Sequence, residues 1–253
     1  MDIIAEIEAL YSELPDLACI QCGTCCVSPT CTLPEFIYLM QYCVRNFNAD
    51  QLREKIAAPP RMHKEHEGNL RCMFLEKGQC RVHPGRTGAC RLFGVPATGR
   101  MGIPDMVTCK NDISVVRGRS DETFIRDWID RLVKLNGGLY AFNTGPYFIN
   151  SFNIECWLDI YFDPMFSFDV FADLKSIMGE YIDLSEYGRG YLPKTGLKEK
   201  VDKISILNAM ATMAEPVMVR ELLVSIRDDY PFTGTYFLEE AKKLLEDFEK
   251  SGE

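Results

Sequence analysis

The sequence predicts a mainly α-helical protein in which a loop-rich, cysteine-bearing N-terminal module, organised by a bound metal, packs with a helical C-terminal part. Ten of the 11 cysteines lie within residues 1–109. Residues 59–110 lack sustained helical or strand periodicity, whereas the segments on either side carry apolar residues at helical spacing. We therefore divide the chain into a cysteine-rich metal- or cluster-binding module (1–110) and a helical, aromatic-rich part (111–253), and we expect them to pack as one unit.

The N-terminal module is expected to contain three helices. The first covers residues 2–14, where isoleucine and leucine recur at helical spacing. The run Thr32-Leu33-Pro34-Glu35 is a capping box with proline in the first turn, and it predicts a helix that continues to about Asn46. Asn48 can cap a third, shorter helix that ends before Pro59.

Residues 59–110 are predicted to be mostly loop, because glycine and proline interrupt every short periodic run. A loop-rich stretch of this length cannot hold itself together through the hydrogen bonds of strands or helices. It normally needs a metal, a cluster or disulfides as its organising centre.

The part after residue 110 is predicted to be helical, with little sheet. Ser120 and Asp121 can cap a helix whose buried face carries four side chains: Phe124, Trp128, Leu132 and Leu135. Further helices are predicted near residues 168–181, 199–214, 216–229 and 235–249. The many aromatic residues in 137–171 are interpreted as core packing, or alternatively as an apolar wall over a ligand pocket or a cluster.

The cysteines form the strongest functional signal. A C-x2-C-x2-C-C run comprises Cys19, Cys22, Cys25 and Cys26. Three thiolates at successive two-residue spacings, with a distant fourth, are the ligand pattern of bacterial ferredoxins. Four more candidate ligands follow within the loop-rich stretch: Cys72, Cys80, Cys90 and Cys109. Eight thiolates would suffice for two four-sulfur sites, which we treat as a hypothesis.

The remaining cysteines and the histidines are weaker candidates. Cys31 lies close after the first run and could be a spare ligand, whereas Cys43 and Cys156 are interpreted as core residues. His63 and His66 are expected at the surface. His83 follows Cys80 closely, and we favour a role other than metal ligation for it.

Charge and hydropathy limit the classes of function. The N-terminus lacks the features of a secretory signal, so we expect a cytoplasmic protein in which disulfides are rare. A net charge of −9 argues against nucleic-acid binding, and no apolar stretch is long enough to cross a membrane. Residues 71–100 are locally basic, a charge that lowers thiol pKa values and offsets metal-bound thiolates.

The combined motifs resemble a known family. Four pieces carry the resemblance: Cys19–Cys26, Cys72-Met73-Phe74-Leu75, Cys80-Arg81-Val82-His83 with Arg86, and Cys90-Arg91-Leu92-Phe93. Together they are similar to the zinc- or iron-chelating CxxCxxCC family, the YkgJ-like proteins, over residues 19–109. The resemblance implies metal chelation through these cysteines and leaves the biochemical role undefined. Members usually carry proline where this chain has Thr87.

The leading functional hypothesis is a protein that coordinates an iron–sulfur cluster, with 4Fe–4S favoured, or zinc. One alternative is a zinc-stabilised structural or interaction protein whose partner the sequence does not identify. The other is a cluster-dependent enzyme distantly similar to flagellin lysine methylases, which are linked to an iron–sulfur cluster. The sequence contains no Walker A, dinucleotide-binding or HExxH motif, and we identify no catalytic residue.

Overall fold

The structure is a computed structural model that describes residues 2–20, 23, 26, 29–62, 70–93, 95, 115–139, 152–163 and 169–194. Within these residues it contains seven α-helices: α1 (Ile3–Ser12), α2 (Leu33–Asn46), α3 (Ala49–Ala57), α4 (Gly88–Leu92), α5 (Glu122–Leu139), α6 (Ile154–Phe162) and α7 (Asp169–Tyr181). Two 3-10 turns cover His83–Gly85 and Ser185–Tyr187. The predicted mainly α class is therefore confirmed for the described part of the chain.

The strands are short and form four separate antiparallel pairs in the described residues. The pairs are β1 (Asp16–Leu17) with β7 (Val115–Arg117), β2 (Thr30–Cys31) with β8 (Phe152–Asn153), β3 (Arg61–Met62) with β4 (Leu70–Arg71), and β5 (Leu75–Glu76) with β6 (Gln79–Cys80). Pairs this small contribute little stability by themselves, so they depend on the surrounding side chains.

The three helices predicted in the N-terminal module are present, and each begins at a polar cap. The side chain of Asp2 accepts hydrogen bonds from the first turn of α1, and that of Asn48 accepts from Gln51 N in α3 at 2.9 Å. At the start of α2, Glu35 Oε2 accepts from Thr32 N at 2.8 Å. These contacts satisfy backbone donors that have no partner inside a helix.

Two apolar clusters form the core, and each joins the N-terminal helices to the later ones. One contains residues of α2 and α6, with the rings of Phe36 and Trp157 stacked at 5.9 Å. The other contains residues of α1 and α5, including Ile7 and Trp128. Trp157 Nε1 donates to Cys31 O, and Trp128 Nε1 donates to Leu10 O, both at 2.8 Å. Both tryptophans of the chain therefore bond to backbone carbonyls of the N-terminal module.

The helical predictions after residue 110 have mixed outcomes. Helices α5 and α7 agree with the predictions around Asp121 and over 168–181, and Phe124 N bonds to Asp121 Oδ1 at 3.0 Å. Helix α6 was not predicted, because residues 154–160 are all buried and show no alternation between apolar and polar faces. The helices predicted over 199–214, 216–229 and 235–249 lie outside the described residues.

None of the helices in the described ranges is both long enough and apolar enough to span a bilayer.

Candidate metal centre

A tight hairpin presents Cys80. Strands β5 and β6 pair Leu75 with Cys80, and the two-residue turn between them is Lys77-Gly78. Both turn residues have positive φ values, 47° and 80°, as a type I′ turn requires. Beyond the hairpin, Arg81 N donates to Phe74 O at 3.0 Å, which holds the chain after Cys80 against the segment before it.

Gly23 and Cys26 of the first cysteine run contact this hairpin and the residue Cys72 before it. Gly23, between the second and third cysteines of the run, has φ +79°, and a Cβ atom there would lie 2.9 Å from Gly78 O and 2.7 Å from a methyl group of Leu75. Cys26 N donates to Gly23 O at 3.1 Å, and Cys72 N donates to Cys26 O at 2.9 Å. Glycine is required at position 23 because both the backbone conformation and the close approach exclude a side chain.

The thiols of Cys26 and Cys80 are in hydrogen-bond contact, although 53 residues separate them in the sequence. This hydrogen bond lowers the pKa of the Cys80 thiol to about 7, with further lowering by the backbone of Val82 and by Arg86, and burial opposes the shift. Both cysteines are only half-buried. A thiol with such a pKa is substantially deprotonated at neutral pH, and the thiolate is the form that binds metals.

Cys72 and Cys90 lie in the same neighbourhood, where Cys90 is half-buried like Cys26 and Cys80 and Cys72 is buried. Cys72 is buried, and burial raises the pKa of its thiol well above the usual value, with the nearby Cys90 as the next cause. Cys80 also interacts electrostatically with Cys72. Several neighbouring thiols cannot all ionise unless a cation compensates their charge, and a bound metal ion supplies that charge.

The carboxylate of Glu35 fixes helix α4, which carries Cys90. Glu35 is 3% exposed, and its Oε1 accepts from Gly88 N at 2.7 Å and from the hydroxyl of Tyr11 at 3.0 Å. Its Oε2 accepts from both the backbone N–H and the hydroxyl of Thr32. One buried carboxylate therefore joins α1, α2 and the first residue of α4 through four hydrogen bonds.

Glycine and threonine at the start of α4 fit this arrangement closely. A Cβ atom on Gly88 would lie 2.5 Å from the ring of Trp128 and 2.9 Å from Glu35 Oε1, so only glycine fits between them. Thr87, where members of the family usually have proline, has φ −70°, a value that proline also adopts. The exchange therefore leaves the local turn unchanged.

Arginine side chains line the segment between Cys80 and Cys90. Arg86 Nη1 lies 2.7 Å from His83 Nε2, and burial followed by the charge of Arg86 lowers the pKa of His83 to about 4. The imidazole is therefore neutral near pH 7, and its Nε2 accepts from Arg86. Arg91 stacks over the ring of Tyr11 at 4.3 Å and donates to Arg86 O at 2.9 Å.

The predicted ligands fall into three groups. Cys26, Cys72, Cys80 and Cys90 lie near one another, and Cys19 is half-buried just after β1. Cys22, Cys25 and Cys109 lie outside the described residues. Within the described residues, no group of three or more histidine, cysteine, aspartate or glutamate side chains is arranged to hold a metal ion. The full ligand set therefore stays a prediction.

The other cysteines belong to the apolar core. The interpretation of Cys43 and Cys156 as core residues is confirmed, since they are 0% and 3% exposed. Cys31 is also fully buried, and burial raises the pKa of its thiol, with Glu35 as the next cause. His63 and His66, expected at the surface, lie outside the described residues.

Some residues that build the site were not predicted from the sequence. The capping box predicts that Glu35 bonds to Thr32, but it does not predict the hydrogen bond from Gly88 N, because Gly88 lies 53 positions later in the sequence. Helix α4 is too short to show a period. The glycine of Lys77-Gly78 between short apolar runs is the one local signal that could have identified the hairpin before Cys80.

The donor set suits a soft metal ion. Thiols from the first cysteine run and from the downstream segment meet at a half-buried position, with one partly ionised thiol and arginine side chains nearby. Zinc and iron–sulfur clusters both bind thiolates in such surroundings.

The comparisons with known proteins agree with this chemistry. Residues 18–110, which are 93 of the 253 residues, match the model of the CxxCxxCC family, described as a putative zinc- or iron-chelating domain. Neither the search of curated proteins nor that of solved structures gave a match. Residues 18–110 of the chain are therefore similar to the CxxCxxCC family of zinc- or iron-chelating domains.

Proposed function

We propose that this protein coordinates an iron–sulfur cluster, of the 4Fe–4S type, through its CxxCxxCC run and its downstream cysteines. The candidate ligands are Cys19, Cys22, Cys25, Cys26, Cys72, Cys80, Cys90 and Cys109. The observation that carries the proposal is the contact between the thiols of Cys26 and Cys80. It supports a shared centre because it joins the first run to the downstream set, which lies about fifty residues later.

Two features favour a cluster over a single zinc ion. Three cysteines at two-residue spacings with a remote fourth are typical of cubane clusters, whereas structural zinc sites more often combine two separate C-x2-C pairs. Arg86 also lies close enough to Cys80 to lower the pKa of its thiol. A positive side chain at this position offsets the negative charge that thiolate ligands give to a cluster.

Zinc in a structural or interaction protein is the second candidate. A closed tetrathiolate site would hold the loop-rich segment together equally well, and its binding free energy would contribute directly to folding. Elemental analysis of protein purified without oxygen separates the two candidates. Stoichiometric iron with visible absorption that bleaches in air supports the cluster, and a colourless protein with stoichiometric zinc contradicts it.

Substitution of single cysteines tests the location of the site. We expect Cys80→Ser and Cys22→Ser to lose metal loading, because a serine hydroxyl is a poor ligand for a soft metal. Cys156→Ser is the matched control, since Cys156 is buried among core residues, and it should retain loading. Unchanged loading in both ligand variants would show that the site lies elsewhere.

The number of centres is a separate question. Eight candidate thiolates allow two four-sulfur sites, and the adjacent Cys25 and Cys26 support this hypothesis because neighbouring side chains diverge and rarely serve one mononuclear centre. The ratio of metal to protein, combined with a count of free thiols after denaturation, tests it. A single centre per chain with several free thiols would contradict the hypothesis.

A cluster-dependent enzyme is the remaining candidate, and one observation favours it. Cys72 lines a pocket of about 250 Å³ that lies beside the candidate centre. An enzyme of this kind requires an open coordination position that faces such a pocket. A small ligand that perturbs the electron paramagnetic resonance signal of the reduced cluster would support this candidate.

A further inference from the structure

The pocket beside Cys72 has more basic than acidic side chains in its lining. Its walls come from α3, the β3–β4 pair, the β5–β6 hairpin, the start of α6 and residue 194. Five basic side chains line it: Lys55, Arg61, Arg71, Arg81 and Lys194. Three acidic side chains also line it: Glu54, Glu76 and Glu155. The lining therefore carries an excess of positive charge.

The strand register places two arginines side by side. Arg61 in β3 is the direct cross-strand partner of Arg71 in β4. Directly opposed residues of an antiparallel pair project on the same face, so like charges at these positions repel each other and destabilise the pair. An anion bound between the two guanidinium groups would convert this repulsion into attraction.

The two arginines differ in how firmly they are held. Arg71 is half-buried, and its Nη2 donates to Leu75 O at 3.1 Å. Arg61 is exposed and also lines the pocket. Arg71 therefore provides a fixed half of the pair, whereas Arg61 can adjust to a ligand that enters from solvent.

The other charges of the lining mostly offset one another. Lys55 and Arg81 both contact the carboxylate of Glu76, Arg81 at 3.4 Å. Lys194 also lines the pocket, where burial lowers the pKa of its amine and the neighbouring Glu155 opposes that shift. Glu54 is exposed on α3. The Arg61–Arg71 pair is thus the main source of the excess positive charge.

We propose that this pocket binds a small oxyanion, a carboxylate or a phosphate group of a small molecule, between Arg61 and Arg71. Arginine side chains bind both groups through two parallel hydrogen bonds, which gives affinity and orientation together. The volume of about 250 Å³ is below the range of about 300–1,000 Å³ for drug-sized ligands, so a small ligand fits best. The inference depends on the arginine pair and holds for either metal.

The position of the pocket gives the bound anion a place next to the candidate metal centre. Cys72 and Glu155 lie in its lining, and Cys72 is one of the proposed ligands. If the centre has an open coordination position on this side, an anion held by the two arginines would lie beside it. This juxtaposition rests on the proposed metal site, whereas the anion site itself does not.

The test measures binding of two probes to the metal-loaded protein purified without oxygen. Sodium phosphate and sodium succinate are each titrated by calorimetry, and the thermal midpoint is compared with that in sodium chloride of equal ionic strength. We expect at least one probe to bind and to raise the midpoint. Binding of phosphate alone identifies a phosphate site, and binding of succinate alone identifies a carboxylate site.

Two variants locate the site. Arg61→Gln and Arg71→Gln should each weaken binding of the effective probe about tenfold or more, because each removes charge-assisted hydrogen bonds. Arg61 is exposed, so its variant stays informative even if Arg71→Gln folds poorly. Arg126→Gln is the matched control, since Arg126 pairs with Glu122 on the surface of α5, away from the pocket.

Either of two results overturns the proposal. Absence of binding of both probes to the wild-type protein overturns it, and so does equal binding to wild type and both pocket variants. The metal content of every sample is measured in parallel. Wild-type protein that binds a probe but contains no metal would contradict the proposed metal site and leave the anion site standing. Wild-type protein that contains metal but binds neither probe would overturn the anion site and leave the proposed metal site standing.

Discussion

The helical frame, formed by α1, α2 and α5, and the cysteine segment, residues 70–93, are built on different principles. Each frame helix has a polar cap and a buried apolar face. The cysteine segment contains three two-residue strands, one 3-10 turn and a five-residue helix. The frame is stabilised mainly by burial of apolar surface. The cysteine segment has little regular structure of its own, so it depends on contacts with residues outside the segment that hold it in place.

Three such contacts hold the cysteine segment. The Cys72 N–H bonds to Cys26 O, Gly23 packs on the turn of the hairpin, and Glu35 binds the first residue of α4. All of them connect the cysteine segment to residues that precede it by about fifty positions. A proposed metal site, with ligands in both places, would be a further connection of the same kind.

Removal of the metal should produce the largest difference between the two regions. We expect chelation to abolish amide protection in residues 70–93 while the amides of α1 and α2 remain protected. Binding of a structural metal such as zinc contributes about 10–16 kcal/mol in small domains, and the frame has its own buried core. Hydrogen exchange followed by mass spectrometry measures this. Equal loss of protection in both regions would contradict the view that the frame keeps its structure without the metal while the cysteine segment does not.

Glu35→Gln should have the next largest effect, because Glu35 connects the two regions. An amide nitrogen would face either the backbone N–H of Gly88 or that of Thr32, so one buried donor would lose its acceptor. We expect the free energy of unfolding, measured by denaturant titration, to fall by about 2–4 kcal/mol.

A second capping box provides the matched control for Glu35. Gln51 performs the same local role at the start of α3, where it is exposed and its Oε1 accepts from Asn48 N at 3.2 Å. Gln51→Glu should change stability by less than about 0.5 kcal/mol. A similar small effect at both positions would mean that the bond from Gly88 contributes little.

Two glycine substitutions should change stability in opposite directions, one where the first cysteine run packs on the cysteine segment and one on helix α7. Gly23→Ala places a Cβ atom 2.9 Å from Gly78 O at a positive φ, so we expect a loss of about 1–3 kcal/mol together with weaker metal loading. Gly179→Ala lies on the exposed side of α7 with no atom within 4 Å of its Cβ position. That change should stabilise the protein by about 0.5–1 kcal/mol. Thermal unfolding of both variants tests whether Gly23→Ala lowers stability and Gly179→Ala raises it.

A small effect is also expected from a surface ion pair within the frame. Arg131 on α5 binds both carboxylate oxygens of Glu13 at 2.9 and 2.6 Å, and this hydrogen bonding lowers the pKa of Glu13. Arg131→Gln should cost less than about 1 kcal/mol at pH 7, since both side chains are partly exposed.

The sign of its pH dependence follows from the lowered pKa. The contribution of Glu13 is complete above the unfolded-state pKa of about 4.3 and is lost as the pH falls through the lower folded-state value. Wild type and Arg131→Gln should therefore become equally stable at acid pH. A difference that persists there would indicate that Arg131 stabilises the protein through packing of its aliphatic stem.

Local patterns were sufficient to predict the frame but not the geometry of the site. The caps at Asn48 and Asp121 and the box at Thr32 mark helix starts because each bond closes within three residues. Helix α4 and the contact between Cys26 and Cys80 depend on residues about fifty positions apart. The cysteine spacing predicted metal chelation, because thiolates at short, regular spacings can bind one metal centre. It does not show which distant loops come into contact.

The hydrogen bonds of Glu35 also suggest an order of events during folding. Its bonds to Thr32 close within three residues, whereas its bond to Gly88 closes a loop of 53. The entropy of closing the longer loop costs about 2.5 kcal/mol more. We therefore expect α2 to form early and α4 to dock late, so that substitutions at Thr32 slow refolding and substitutions at Gly88 mainly accelerate unfolding.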